Sequence, residues 1–140
     1  MASRAEKLAR LVSLMKLQLR LSEWQLAQLR QQEQALQDEE AWLIGALNAL
    51  RPPAGSSSAS IARRLTTTSV GARAVQAEAS RQLDQVRTEN RRVKQVEQVA
   101  RAAAADRRRE AEKRSLEEIA GRPVRRHDWL AATKGAGSRQ

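Results

Sequence analysis

Apolar residues recur along residues 5–50 at alternating spacings of three and four, which is the pattern of a coiled-coil helix. One set, at heptad position d, is Leu8, Met15, Ser22, Leu29, Leu36, Leu43 and Leu50. The set at position a is Ala5, Val12, Leu19, Leu26, Glu33, Glu40 and Leu47. No Gly or Pro interrupts this stretch before Gly45. We predict one long helix that winds around a partner helix with a left-handed twist.

Capping and breaking residues predict where this helix begins and ends. Ser3 can cap the amino end, with Glu6 completing a capping box. Pro52 and Pro53 end the helix, because a residue that precedes Pro disfavours the helical conformation. The Ser-rich run after Gly55 supplies several candidate caps for a second helix.

The second helix has a thinner seam than the first. We assign Gln76, Leu83, Asn90, Glu97, Ala104 and Ala111 to position a, and Ala72, Ala79, Val86, Val93, Ala100, Arg107 and Arg114 to position d. Thr66, Thr67, Thr68, Ser69 and Gly71 have low helix propensity, so a short helix over 61–65 with a restart at Ser69 is an alternative to a continuous helix.

Two long helices with one period and one Pro/Gly/Ser connection predict an all-α fold, an antiparallel coiled-coil hairpin with a short basic C-terminal tail. We place the hairpin at residues 1–121, with helix 1 at about 4–51, the turn at about 52–60 and helix 2 at about 61–121, and a basic mobile tail at 122–140. A parallel homodimer would use the same heptads, but the turn argues against it.

With the turn taken near Ser58, facing residues have numbers that sum to roughly 115–125. Leu36 would then lie near Leu83 and Val86. Leu26 would lie near Val93. By the same alignment, the acidic seam residues Glu33 and Glu40 fall near Gln76, Arg81 and Arg87.

Composition narrows the class of protein further. Aromatic residues make up 2% of the 140 residues and Cys is absent, so neither a compact aromatic core nor a disulfide framework is expected. The absence of Cys predicts a cytoplasmic protein. No segment is apolar enough to span a membrane. The basic start resembles a mitochondrial presequence loosely, but the heptads run through it, which favours mature structure.

Helix 1 carries apolar residues that the a/d seam does not explain. Leu14, Leu17, Leu21 and Trp24 occupy positions c and f, opposite the seam, and we predict that they bind a partner protein. The alternatives are cover by the tail residues Trp129 and Leu130, or formation of a homodimer. Trp42, also at a c position, is a weaker case of the same kind.

The net charge of +10 lies mostly in the second half of the chain. Residues 61–140 contain nineteen Lys/Arg and ten Asp/Glu, whereas residues 1–51 contain seven and six. The cluster Arg107, Arg108 and Arg109 is the candidate polyanion-binding site, for nucleic acid or an anionic membrane. Because the Arg residues are spread around the helix and the best heptads are on helix 1, sequence-specific DNA reading is not expected.

Catalytic chemistry has little support in this sequence. His127 is the only imidazole, and it stands in the tail beside Asp128. Asp38, Glu39 and Glu40 are consecutive, so their side chains fan around the helix and cannot converge as an acid and base pair. No phosphate-binding loop or metal-ligand spacing is present. We predict no enzyme activity, no cofactor, no metal and no small-molecule substrate.

The opening Ser-Arg-Ala-Glu-Lys-Leu-Ala-Arg-Leu-Val at residues 3–12, followed by Gln- and Leu-rich heptads, resembles the start of FliJ family proteins. The YscO-like stalk proteins of type III secretion look similar. The resemblance covers roughly residues 3–120 and carries over no individual contact residue.

This resemblance implies a non-enzymatic coiled-coil stalk or adaptor in a bacterial flagellar or virulence-type export apparatus, in the cytoplasm with peripheral attachment to the inner membrane as an option. FliJ-type hairpins insert into the ring of the export ATPase, contact the export gate and handle free chaperones. The alternative function is a basic helical hairpin that binds nucleic acid or anionic membrane as a structural or scaffold protein.

Overall fold

The computed structural model describes residues 2–49 and 55–122, which form two helices and contain no strand. Helix α1 spans Arg4–Asn48 and helix α2 spans Ser58–Gly121. The chain divides into two compact units at Ala100 and Arg101. The first unit holds α1 and the part of α2 up to residue 100, packed against each other as the predicted all-α antiparallel hairpin. The second unit holds the rest of α2.

Serine side chains cap both helices at their amino ends. The Ser3 Oγ accepts a hydrogen bond of 3.2 Å from the Glu6 N–H, so the predicted cap is confirmed. At α2, Ser57 and Ser60 each accept a bond from the other's backbone N–H, at 3.1 and 3.2 Å. Gly55 precedes this cap with a φ of 82°, a conformation that residues with a Cβ rarely adopt.

The predicted seam of α1 is confirmed along its described length. Each a and d residue from Ala5 to Leu47 is buried or half-buried. Ser22, Leu26 and Leu43 are the most buried of them, and Leu43 has no exposed surface. The heptad pattern therefore identified the face of α1 that packs against α2.

The predicted seam of α2 is confirmed between Ala72 and Ala104 except at Gln76, since Leu83, Asn90, Glu97 and Ala104 of the a set are half-buried. The predicted seam residues beyond it, Arg107, Ala111 and Arg114, are exposed, so that part of the prediction is wrong. The d set from Ala72 to Ala100 is buried or half-buried, but Gln76, assigned to position a, is exposed. The residue before each of these a positions is covered as well, and the same spacing extends toward the turn: Ile61, Thr68, Val75, Gln82, Glu89 and Val96 are all buried or half-buried. The face of α2 that packs against α1 is therefore wider than one a/d seam.

Helix α2 also continues through the Thr cluster, so the alternative of a break before Ser69 is wrong. The hydroxyls of Thr66 and Thr67 donate to the carbonyls of Ala62 and Arg63, at 3.0 and 3.2 Å, which are bonds to the preceding turn of the same helix. Thr68 is buried in the seam. Tertiary packing therefore outweighs the low helix propensity of these residues.

The predicted register is wrong by about three helical turns. The contacting pairs Arg64–Glu39, Gln82–Gln25 and Lys16–Glu97 have residue numbers that sum to 103, 107 and 113. The cause is the position of the turn. Because α1 ends at residue 48 and α2 already begins at residue 58, the connection lies before residue 58, earlier in the chain than the sequence alignment placed it.

This register changes the predicted neighbours. A Cβ placed on Gly71 would lie 4.0 Å from Cδ1 of Leu36, so Leu36 faces Gly71 and not Leu83 or Val86. The Gln82 amide donates to the Ser22 carbonyl at 3.0 Å. Val93 lies eleven residues beyond Gln82, or about 16 Å along the helix, and so it is remote from Leu26.

The acidic seam residues also have partners other than those predicted. Glu40 accepts a 3.0 Å hydrogen bond from the Ser69 hydroxyl. Glu33 accepts one of 3.3 Å from the Gln37 amide of its own helix. Neither forms the expected pair with Arg81 or Arg87, because the register brings the beginning of α2 to this part of α1.

Candidate protein-binding face

The outer face of α1 carries a line of large apolar side chains, which we call the outer stripe: Leu14, Leu17, Leu21 and Trp24. Their spacing of three, four and three residues keeps them on one line along the helix. They are 64%, 58%, 55% and 59% exposed, respectively. The structure therefore places the four predicted partner-binding residues together and open to solvent, and partner binding itself stays a prediction.

Leu11 extends the outer stripe and was missed by reasoning from the sequence. It is 44% exposed and lies one turn before Leu14. Its heptad position g lies between the hairpin seam and the c positions of the outer stripe. The sequence signal was that no a or d assignment explained it.

A groove adjoins the outer stripe at Trp24. Its volume is about 490 Å³, and its lining comes from both helices: Trp24, Gln25, Gln28, Leu29, Gln32, Glu78 and Gln82. The amide of Gln82 donates to Ser22 and to Gln25, which fixes this side chain at the border between the helices. The groove combines one indole with amides and a single carboxylate, so it is a mixed polar and apolar surface.

Helix α1 is electrically polarised along its length. Residues 1–22 contain five Lys/Arg and one Glu, whereas residues 23–40 contain one Arg and five Asp/Glu. The antiparallel fold sets four of these five carboxylates, those at 33–40, beside residues 63–74 of α2, which contain three Arg and no acid. Arg64 and Glu39 form an ion pair there, at 2.9 Å. The excess positive charge of α1 therefore lies in residues 1–22, the part of the helix that carries most of the outer stripe.

The candidate polyanion-binding residues Arg107, Arg108 and Arg109 are exposed on α2 in the second unit. Arg109 lies 3.7 Å from Asp106 of the same helix. Leu116 and Ile119 of this unit are also exposed, each at 66%.

Several predictions concern residues outside the described ranges. These are the tail residues His127, Trp129 and Leu130 and the turn residues Pro52 and Pro53.

Neither described helix contains a stretch long and apolar enough to cross a lipid bilayer. Comparison with protein-family models, with curated proteins and with solved structures finds no match for this chain.

Proposed function

We propose that this protein is a non-enzymatic coiled-coil stalk or adaptor of a bacterial type III protein export apparatus, of the flagellar kind in the first place. In this proposal it acts in the cytoplasm, where it binds the export ATPase ring and the export gate. The observation that carries the proposal is a two-helix hairpin with an exposed apolar stripe on the outer face of its first helix.

The physical argument starts from stiffness. A helix of 45 residues extends about 70 Å, and pairing with α2 makes it a rod that can transmit position between two partners. Exposed apolar lines of this size usually mark protein contacts. Trp24, a residue type common in binding hot spots, lies at one end of this line.

The first experiment measures ATP turnover by the type III export ATPase of the same organism, with and without this protein, at physiological salt. We expect saturable stimulation that is lost in the variant Leu17→Asp/Leu21→Asp. The matched control is Val70→Asp, because Val70 is 63% exposed on the other helix and lies outside the outer stripe. Both variants should keep the helical circular dichroism of the native protein.

Two results would contradict this proposal. If the protein neither changes ATP turnover nor co-elutes with the ATPase, the stalk proposal is rejected. If Val70→Asp is as defective as the double variant, the stripe is not the contact face.

A second candidate function is a structural hairpin that binds nucleic acid or anionic membrane. The three consecutive exposed Arg residues at 107–109 favour it. This function would depend on Arg107, Arg108 and Arg109 and would weaken steeply with salt, whereas the stalk function would depend on the outer stripe.

A further inference from the structure

We infer that the outer stripe of α1 binds an amphipathic helix whose apolar face is bordered by acidic residues. The inference rests on the proposed function in one respect, namely that the stripe is the face that binds a protein partner. It adds the chemistry of the segment that binds.

The width of the outer stripe points to a helix as its occupant. Leu14, Leu17, Leu21 and Trp24 follow the spacing of a coiled-coil seam, which is narrower than the apolar face of a helix that lies on a membrane. The exposed polar residues Ser13 and Gln18 border the line on its two sides. One helix can cover such a narrow line along its length by inserting side chains between the leucines.

The charge around the stripe points to acidic borders on that helix. Three exposed cations adjoin the line at helical neighbour spacings. Arg10 lies one turn before Leu14, Lys7 one turn before Leu11, and Arg20 one turn before Trp24. Lys16 does not contribute to this border, because its Nζ pairs with Glu97 Oε1 of α2 at 2.8 Å. Acidic residues beside the partner's apolar face would therefore meet opposite charge along the stripe.

The same cations argue against a parallel second copy of this chain as the occupant. Two stripes packed in the same direction would bring Lys7, Arg10 and Arg20 of one copy toward the same residues of the other, and like charges at an interface oppose binding.

The test uses two designed peptides of about 20 residues, a length at which an isolated helix can form. Both carry leucines at the spacing of the stripe, and the flanking positions are all Glu in one and all Lys in the other. The protein carries Trp42→Phe and Trp129→Phe, so that Trp24 is its only fluorophore.

At physiological salt we expect the Glu-flanked peptide to shift the Trp24 emission to the blue and to bind about tenfold more tightly than the Lys-flanked peptide. The variant Arg10→Glu/Arg20→Glu should reverse this preference. The variant Leu17→Asp/Leu21→Asp, with unchanged helical dichroism, should bind neither peptide.

Other outcomes overturn the inference. Equal affinity for the two peptides would show that the flanking charges do not select the partner, and binding of neither peptide would show that the stripe does not take a helix.

An emission shift with anionic phospholipid vesicles but not with the Glu-flanked peptide would make the stripe a membrane-binding face. A concentration-dependent dimer that is lost in Leu17→Asp/Leu21→Asp would make a second copy the occupant. No ATPase is present in this assay. The inference about the partner helix can therefore fail while the stalk function stands, and the stalk function can fail while the outer stripe still binds an acidic helix.

Discussion

Leu43 is the most fully buried side chain of the described helices. It has no exposed surface, whereas its neighbour Ile44 is 44% exposed. We expect Leu43→Ala to lower the free energy of unfolding by about 2–5 kcal/mol, because the truncation removes buried surface and leaves a cavity. Urea titration followed by circular dichroism measures this loss. Ile44→Ala is the matched control and should cost less than half as much; equal losses would place Leu43 outside the core.

Ser22 shows that a heptad position does not determine the size of its residue. Its d position would suit a leucine, but the side chain is only 4% exposed and the Gln82 amide binds its carbonyl. We expect Ser22→Leu to destabilise the protein by about 1–3 kcal/mol through overpacking. Ser22→Ala should change stability by less than about 1 kcal/mol in the same urea titration, since the bond from Gln82 goes to the backbone. A more stable Ser22→Leu variant would show that this layer has room.

Gly71 can accept a Cβ without displacing its neighbour. The nearest atom to an added Cβ is Cδ1 of Leu36, at 4.0 Å, which is an ordinary contact distance. Since Gly within a helix costs about 0.5–1 kcal/mol relative to Ala, Gly71→Ala should raise the free energy of unfolding by about that amount. Gly45→Ala, where nothing lies within 4 Å, should give a similar gain. A loss at Gly71 alone in thermal unfolding would indicate a closer helix approach there.

At the scale of the helices, the register can be tested because the chain contains no Cys. We expect the variant Leu36→Cys/Gly71→Cys to form an intramolecular disulfide or to react with a short bifunctional maleimide. Leu36→Cys/Leu83→Cys should not, because Leu83 lies twelve residues beyond Gly71, or about 18 Å along α2. Electrophoretic mobility under non-reducing conditions reports the closed hairpin. Efficient cross-linking of the second pair and not the first would favour the register expected from the sequence.

The two helices were predictable to different depths from the sequence. Along α1, large leucines occupy one line, so the period identified the buried face. Along α2, small residues such as Ala72, Ala79 and Ala74 lie on both buried and exposed faces. The small residues therefore did not define the buried face of α2, although the apolar Val75 beside the polar Gln76 indicated that the buried face passes through residue 75 at this turn. The heptad period also did not determine the register between the helices. Sliding one helix along the other by seven residues leaves every a and d position matched as before.

The candidate protein-binding face was also predictable only in part from the sequence. The outer stripe was predictable because Leu14, Leu17, Leu21 and Trp24 belong to one helix and are left over when its seam is assigned. The groove beside Trp24 was not, because Glu78 and Gln82 reach it only in the observed register. Features within one helix follow from spacing alone, whereas features between helices depend on where the chain reverses.

For the whole molecule, the net charge of +10 predicts binding to polyanions that is electrostatic and does not depend on nucleotide sequence. We expect the affinity for a duplex DNA of mixed sequence to fall steeply as salt increases from low to physiological concentration, because each neutralised phosphate releases a counterion. The triple variant Arg107→Gln/Arg108→Gln/Arg109→Gln should flatten the plot of log affinity against log salt by up to about three units. Fluorescence anisotropy of labelled DNA measures both quantities.

The matched control for this prediction is Leu17→Asp/Leu21→Asp, which changes the outer stripe without touching Arg107, Arg108 or Arg109. Its two added carboxylates lower the net charge by two, and the Arg variant lowers it by three, so the variants differ mainly in where the charge is altered. If net charge alone governs DNA binding, both variants lose affinity to a similar degree. If the three arginines form a dedicated site, only the Arg variant does, and binding by the native protein that persists at physiological salt would then favour the polyanion-binding function over the stalk.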